Sequence, residues 1–206
     1  MESYITVEKN ATAEIIEKRS RFIANVFPVN NEAEALDLIA KLKKEYWDAR
    51  HNVYAYIIKE DNICRYTDDG EPSGTAGVPV LDVMRKQGIV DCLIVVTRYF
   101  GGVLLGTGGL VRAYSAAAID GLDAANVITM TPCALCEIEC DYGDYDTLLR
   151  RLKESGGDVK DTVFTDSVLI KFAMEESLVP DFRLQLTDNF SGRLTLNVTG
   201  NCFAHI

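Results

Sequence analysis

The chain has 206 residues, of which 48% are hydrophobic and 25% charged, so it has the composition of a globular protein with a real core and is neither disordered nor fibrous. The net charge of −10 excludes a protein-wide basic surface for nucleic acid, and any RNA contact has to be a local patch. No apolar run reaches the roughly 18–20 residues of a membrane span, and the polar N-terminal stretch lacks the apolar centre of a secretory signal. We therefore expect a cytoplasmic protein with no membrane contact.

The length favours two modest domains, and the sequence changes character at the segment NVITMTP, residues 126–132. Glycine-rich turns crowd the part before it, whereas short regular elements fill the part after it. We place a first domain at 1–128 and a second at 129–206, in an α+β fold.

The first domain begins with predicted strands at 4–7 and 21–29. A helix is predicted at 31–46, because its apolar residues recur on one face and Asn31 with Glu34 resembles a capping box. Further strands are predicted at 51–59 and 63–66.

The next predicted element is a short helix at 79–87, with a proline at its first turn and Gly88 at its end. The following run, CLIVVTRYF, is nearly continuous in β-branched and aromatic residues, which predicts a central strand buried on both faces. After the glycines, small and apolar residues return at helical spacing from Leu110 to Gly121.

The second domain reads strand, helix, strand, strand, helix, strand. The predicted strands are 133–141, 159–165, 168–174 and 193–199, with one helix at 144–155 and another that has Pro180 near its start. The order βαββαβ is that of the ferredoxin-like split βαβ arrangement.

The closely spaced Cys133, Cys136 and Cys140 have spacings reminiscent of metal or iron–sulfur ligation. Ala134, Cys136, Ile138 and Cys140, however, alternate with bulkier or charged residues as a half-buried strand does. We interpret these cysteines as buried strand residues and expect neither a resident metal nor a cofactor.

The first motif that could carry chemistry runs from the hydrophobic strand through a cluster of glycines into a helix. Backbone N–H groups at such a helix start favour an anion, and phosphate is the natural candidate. Gly101 to Gly106 has the spacing of a nucleotide P-loop, but Thr107 stands in place of its lysine and a dinucleotide fingerprint is also incomplete, so both interpretations are rejected. The predicted anion-binding residues are Arg98, Gly101, Gly102, Gly106, Gly108, Gly109 and Arg112.

A tight structural turn is the alternative for these glycines, with the arginines paired to Asp68 or Asp69. If Gly108 needs a positive φ, Gly108→Val misfolds the turn. Arg98→Ala and Arg112→Ala are expected to weaken anion binding and leave the fold intact.

The second motif is RYTDDGEPSGTAGVP, residues 65–79, which has too few apolar residues to be core. Its carboxylates could hold Mg²⁺ through oxygen ligands, which would suit phosphoryl chemistry. The competing interpretation is that Asp69 and Ser73 accept backbone hydrogen bonds within the turn and that Glu71 is solvated. His51 is the internal histidine of the chain, and it could act as a proton shuttle or could simply begin a strand. The candidate polar site therefore comprises His51, Asp68, Asp69, Glu71, Ser73 and Thr75.

Ser73, Ser115 and Cys64 are conceivable nucleophiles, but no nucleophile elbow surrounds them and no catalytic triad is indicated. The aromatic residues near the two motifs could stack on bases, or could equally form part of a core. These are Tyr54, Tyr56, Tyr66, Tyr99, Phe100 and Tyr114.

Three segments together, HNVYAY at 51–56, RYTDDGEPSGTAGVPVL at 65–81 and VVTRYFGGVLLGTGGLVRAYSAAA at 95–118, closely resemble the IMPACT family in its bacterial YigZ-like branch. The resemblance implies a first domain like domain 2 of ribosomal protein S5 and a ferredoxin-like second domain similar to one of elongation factor G. Eukaryotic members regulate translation by competing for the activator of a stress kinase. Their partner contact involves an additional N-terminal domain, so the kinase pathway is not carried over.

On this basis we expect a translation-associated regulatory or binding protein whose first domain recognises RNA, the ribosome or a protein partner. The alternatives are a metal-dependent small-molecule hydrolase or phosphotransferase, with Asp68, Asp69 and Glu71 on the metal, or a plain protein-interaction scaffold. Every site assignment made from the sequence rests on the two motifs meeting in space.

Overall fold

The computed structural model describes residues 2–60 and 62–205, which form two sheets and five α-helices. Contacts within the chain divide it into two units, Tyr4–Thr129 and the part from Met130 onward, which also includes Glu2 and Ser3. The predicted α+β class is therefore confirmed. None of the helices in the described part is long and apolar enough to cross a membrane.

The first unit is built on one antiparallel sheet. Its strands are β2 (Ala11–Glu17), β3 (Ser20–Pro28), β4 (His51–Ile58), β5 (Ile63–Thr67) and β6 (Cys92–Tyr99), following a short β1 (Tyr4–Val7). Their order is β2-β3-β6-β4-β5, which puts β6 in the middle.

Both faces of β6 are buried, as the sequence predicted. Ile94 and Val96 belong to the core that holds α2 (Gly77–Gln87) and α3 (Thr107–Ala125). Leu93 and Val95 pack in a separate core with α1 (Glu32–Glu45). A strand held between two cores fixes the position of whatever follows its end, and the glycine-rich motif begins there.

The helix boundaries agree with the sequence in their main features. Asn31 caps α1 by accepting a hydrogen bond from the Glu34 N–H, while the Glu34 carboxylate accepts from Asn30, one residue before the position that a capping box requires. Helix α2 begins two residues earlier than predicted and ends at Gly88, which has a φ of 68°. The small-residue face of α3 packs closely on β3, where Gly121 leaves room for Val26 and Ala24.

Three strands differ from the prediction, one of them the last strand of the chain, which was predicted at 193–199 and spans Leu196–Ala204. Strand β2 was not predicted, because it is an edge strand whose inward residues, Ala11, Ala13 and Ile15, are mostly small and only half-buried, so its alternation gives a weak apolar signal. Strand β7 (Val127–Cys140) begins six residues earlier than predicted, in a stretch rich in Val, Ile and Thr.

In the second unit β7 is followed by α4 (Tyr142–Glu154), β8 (Asp158–Phe164), β9 (Val168–Glu175), α5 (Val179–Phe190) and β10 (Leu196–Ala204). The strands are antiparallel in the order β10-β7-β9-β8. Ala134, Cys136, Ile138 and Cys140 lie in the core with residues of α4 and α5, which is the inward alternation that the sequence indicated.

Candidate functional site

The two glycine-rich motifs meet through one carboxylate. Glu71, from the motif after β5, is buried at 8% exposure and accepts hydrogen bonds from two residues of the other motif. Arg98 Nη1 donates to Glu71 Oε1 at 2.6 Å, and the Tyr114 hydroxyl donates to the same oxygen at 2.8 Å. Glu71 is therefore not the solvated turn residue that one sequence interpretation expected.

The Arg98 guanidinium is held from several sides at the end of β6. It lies 5.3 Å from the ring centre of Phe22 and 5.6 Å from that of Phe100. Its Nη2 makes a long 3.4 Å hydrogen bond to Ser20 Oγ, and its buried Nε has no protein partner. Arg98 pairs with Glu71 and not with Asp68 or Asp69, so the pairing considered from the sequence was wrong.

Tyr114 reaches the same carboxylate from α3. Burial, and then the charge of Glu71, raise the pKa of Tyr114 well above its ordinary range. The hydroxyl therefore stays protonated and acts as a donor to Glu71. The sequence places Tyr114 among the aromatic residues near the motifs, but its bond to Glu71 could not be predicted, because that partner lies 43 residues away in the chain.

His51 stands at the start of β4 with a defined orientation. Its Nδ1 lies 2.8 Å from the main-chain oxygen of Asp69, and because a carbonyl oxygen only accepts, Nδ1 carries the proton. In the neutral ring this leaves Nε2 as an acceptor, 3.8 Å from Glu71 Oε1. His51 begins strand β4, as one interpretation of the sequence expected. Its Nε2, which a proton shuttle would use, lies beside the Glu71 carboxylate.

Asp68 serves the backbone of its own motif. Its carboxylate accepts hydrogen bonds from the N–H groups of Gly74, Ala76 and Gly77 at 2.8–3.1 Å, so it neutralises the start of α2. Asp69, with a φ of 43°, instead accepts from the Asn52 N–H at 2.7 Å and pairs with Lys43 at 3.3 Å.

Asp68, Asp69 and Glu71 thus have separate partners and do not converge on one point. Within residues 2–60 and 62–205, no group of three His, Cys, Asp or Glu side chains could hold a metal ion. The magnesium arrangement considered from the sequence is therefore not formed by these three carboxylates. Of the remaining polar residues, Thr75 is buried and donates to the Pro72 carbonyl, while Ser73 is exposed on the turn.

The start of α3 differs from that of α2. Gly106 is its cap residue, with a φ of 73°, and the first turn contains no acidic residue and no side-chain cap. The first N–H groups of a helix lack acceptors within the helix. Those of Thr107, Gly108 and Gly109 therefore remain available to an anion.

The glycines of this motif have different structural roles. A Cβ on Gly101 would lie 2.1 Å from the Arg19 backbone, so the turn needs glycine there for close approach. Gly102 and Gly106 have positive φ, whereas Gly108 does not, because it lies in the first turn of α3. The positive φ considered for Gly108 was wrong, and the requirement lies at Gly106.

Arg112 lies one turn further along α3 and is exposed. It is not among the residues that line the cavity beside Arg98. A Cβ on Gly108 would lie 3.6 Å from Arg112 Nη1, so the Arg112 guanidinium lies near the first turn of α3.

A cavity of about 460 Å³, the junction cavity, lies where the two motifs meet. Its polar wall is formed by Arg50, His51, Glu71, Arg98 and Thr107, with the backbone of Gly70 and Gly106. Its apolar wall is formed by Pro72, Phe100, Leu104, Leu105 and Leu110. Arg50 and the leucines of the apolar wall were not predicted as site residues, because Arg50 lies outside both motifs and the argument from sequence rested on the glycines and polar residues; Phe100 was named only as an aromatic residue that could stack on bases.

Comparison with known proteins identifies these motifs. The model of the Impact N-terminal domain matches residues 18–122, which include every residue of the junction cavity, and a domain of unknown function, DUF1949, matches residues 138–193. The chain belongs to the IMPACT family. The family member YvyE of Bacillus subtilis is 39% identical over 94% of this chain and 89% of its own length.

Other family members are similar over nearly the whole chain. YigZ of Escherichia coli is 31% identical over 95% of this chain and 98% of its own length. A crystal structure of a hypothetical protein, with 31% identity, matches 96% of this chain and 98% of its own with a TM-score of 0.60. The IMPACT protein of Bos taurus matches only 45% of this chain, at 38% identity, and 30% of its own length.

Proposed function

We propose that this IMPACT family member is a translation-associated binding protein that recognises RNA, free or on the ribosome, through the junction cavity. The family resemblance supports the association with translation. The observation that carries the choice of ligand is the open start of α3, where Gly106 and Thr107 line a cavity that Arg98 also lines. A phosphate group matches both features, since helix N-termini and arginine each bind oxyanions.

The charges around the cavity support an anionic ligand. Arg50 and Arg98 line it together with Glu71 as the one carboxylate of the lining, so a net positive charge remains even with His51 neutral. This contrasts with the net charge of −10 of the whole chain. Local positive charge on an acidic protein is the arrangement that the sequence required of any RNA contact.

The protein does not satisfy all the hydrogen-bond donors of the buried Arg98 side chain. Its side chain is buried, its Nε lacks a partner and its bond to Ser20 is long. Buried arginine nitrogens are normally satisfied, so an unpaired one beside a cavity supports a ligand oxygen at that place.

The size and walls of the cavity support a single nucleotide unit rather than a duplex. A volume of about 460 Å³ lies within the range of about 300–1,000 Å³ of small-ligand sites. Phe100, at 40% exposure, offers a ring edge or face beside the polar wall, and aromatic side chains stack on unpaired bases.

A protein partner is the second candidate, and one feature favours it. The loop after β6 exposes Phe100, Val103 and Leu104, the last at 83%. Adjacent exposed apolar side chains are typical of protein contact sites. The metal-dependent hydrolase has less support, because Asp68 and Asp69 are already engaged by the protein.

The test is a salt-dependent titration of the protein with a single-stranded RNA and with ribosomes, comparing wild type with Thr107→Glu. The added carboxylate would occupy the open start of α3 and repel phosphate, while its favourable interaction with the helix dipole would preserve the fold. We expect RNA affinity to fall by about tenfold and the salt dependence to weaken by about one phosphate contact.

Two controls separate charge from fold. Thr107→Gln has a similar size without the charge and should bind nearly as the wild type does. Gly143→Glu adds the same charge to the first turn of α4, in open space in the second unit, and should leave binding unchanged. Wild-type protein that binds neither RNA nor ribosomes would refute the proposal, and co-purification of a protein through the 100–104 loop would favour the second candidate.

We also infer the finer folds. The order β7-α4-β8-β9-α5-β10 and the strand arrangement β10-β7-β9-β8 support a ferredoxin-like topology for the second unit. For the first unit, the family resemblance supports a fold like domain 2 of ribosomal protein S5.

A further inference from the structure

We infer that Cys133 and Cys202 form a dithiol site in the second unit, which closes to a disulfide when a peroxide oxidises it. This site is separate from the junction cavity. It rests on strand register and not on the proposed RNA function, so the two proposals fail independently.

The register of the sheet brings the two cysteines together. Strand β10 pairs with β7 in antiparallel fashion, with Cys202 directly opposite Cys133. Residues directly opposite in such a pair project from the same face, with Cβ atoms about 4.5–5.5 Å apart. Their Cα separation of about 4.5–5.5 Å falls within the range of about 4.4–6.8 Å in which disulfides form.

The other strand cysteines of the described chain lack such a partner. Cys64 stands opposite Ile57, Cys92 stands between Pro28 and Ile57, and Cys140 stands opposite Val168. Cys136 stands opposite Val198 on one side and Phe172 on the other. Cys136 and Cys140 also lie in the core beneath α4 and α5, whereas Cys133 is an odd number of residues away and faces the opposite side of the sheet.

The two thiols differ in ways that suit a stepwise oxidation. Cys202 is half-buried, whereas Cys133 is fully buried. Burial, and next the neighbouring Cys202, raise the pKa of the Cys133 thiol. The thiol that solvent reaches is therefore Cys202, and we assign the first attack to it. The sheet thus supplies an accessible thiol and a buried partner thiol directly opposite each other.

The chemistry is balanced with hydrogen peroxide as the oxidant. The Cys202 thiolate attacks one peroxide oxygen, the O–O bond breaks, and a sulfenic acid and hydroxide form, the hydroxide leaving as water after protonation. The Cys133 sulfur then attacks the Cys202 sulfur, the S–O bond breaks, and the thiol proton of Cys133 leaves with the hydroxyl group as a second water. Two thiols are oxidised to one disulfide, and one peroxide is reduced to two waters.

The disulfide would act on the last strand of the chain. Strand β10 lies at the edge of the sheet, pairs with β7, and has a register irregularity between Val198 and Gly200. A covalent bond on the far side of this irregularity would prevent the end of β10 from separating from β7. The expected consequence is slower amide exchange in the final residues of the strand.

The test treats the purified, reduced chain with a stoichiometric amount of hydrogen peroxide, followed by thiol counting under denaturing conditions and peptide mass spectrometry. Of the six cysteines in the chain, we expect two to be lost from the thiol count, with loss of two hydrogens in a cross-linked pair of peptides containing Cys133 and Cys202. Treatment with dithiothreitol should restore all six.

Three variants distinguish the site from general oxidation. In Cys133→Ser the sulfenic acid should persist on Cys202 and react with dimedone, and in Cys202→Ser no intramolecular disulfide should form. Cys64→Ser removes the half-buried cysteine of the first unit and should leave the cross-link unchanged. Retention of all thiols in the wild type, or a cross-link that includes Cys64 or Cys136, would overturn the inference.

Discussion

Helices α2 and α3 both begin in glycine-rich sequence, but their first N–H groups differ in whether a side chain accepts from them. At α2 the Asp68 carboxylate accepts from the N–H groups of Ala76 and Gly77, so the helix start carries its own anion. At α3 the first turn has neither an acidic residue nor a side-chain cap. The protein thus contains one helix start whose N–H groups are bound by a carboxylate, the filled start of α2, and one whose N–H groups have no side-chain acceptor, the open start of α3.

This difference shows what a glycine-rich helix start means. Glycine allows the turn, but the satisfaction of the N–H groups decides whether the turn is structural or receptive. For α2 the acceptor lies eight or nine residues earlier in the chain, and only the folded turn brings it into place. The following predictions test this contrast.

The largest expected effect comes from Arg98→Ala, which removes the residue that joins the two motifs. Glu71 would be left buried with its charge uncompensated except by Tyr114, so we expect the free energy of unfolding to fall by about 3–5 kcal/mol. Denaturant unfolding measures it. This replaces the expectation from sequence that the fold would stay intact, and a loss below about 1 kcal/mol would mean that the Glu71 site rehydrates.

A smaller effect should separate two glycines of the open helix start. Gly106→Ala forces a side chain onto a φ of 73°, so we expect a loss of about 1–3 kcal/mol in the free energy of unfolding. Gly108→Ala lies inside the helix, where its Cβ would be 3.6 Å from Arg112, and should be neutral or stabilising by up to about 1 kcal/mol. Equal destabilisation by both variants would contradict this assignment.

The smallest effect is expected at the filled helix start. Asp68→Ala would leave the N–H groups of Gly74, Ala76 and Gly77 without their acceptor, and we expect a loss of about 0.5–2 kcal/mol. Added sulfate should restore part of this loss in Asp68→Ala, since the anion can occupy the vacated position. Thermal unfolding with and without sulfate checks it, and Asp146→Ala, an exposed change in α4, provides the control.

The elements that the sequence predicted well are those whose own residues determine them. The central position of β6 followed from an unbroken apolar run, and the cap of α1 followed from Asn31. Edge strand β2 and the early start of β7 depend on neighbouring strands, and for that reason periodicity alone missed them.

Within the site the sequence identified the two motifs but not how they are connected. Glu71, Arg98 and His51 were named as candidates, yet nothing local shows that Glu71 bonds to Arg98 or that Asp68 serves α2. Arg112 was also named, and its guanidinium lies near Gly108 at the start of α3, although it does not line the junction cavity. Contacts between residues distant in the chain, such as Glu71 with Tyr114, arise only from packing.

The shared Glu71 oxygen has a consequence for how this protein can change over generations. One carboxylate satisfies Arg98 at the end of a strand and Tyr114 on a helix, so loss of Glu71 leaves both of them without this acceptor, and loss of either donor leaves the buried Glu71 with one hydrogen bond fewer. A single substitution at one of these positions therefore gives a less stable protein until the other positions also change. We expect the three residues to be inherited as a unit, and the separation of the two motifs along the chain to be free to vary around them.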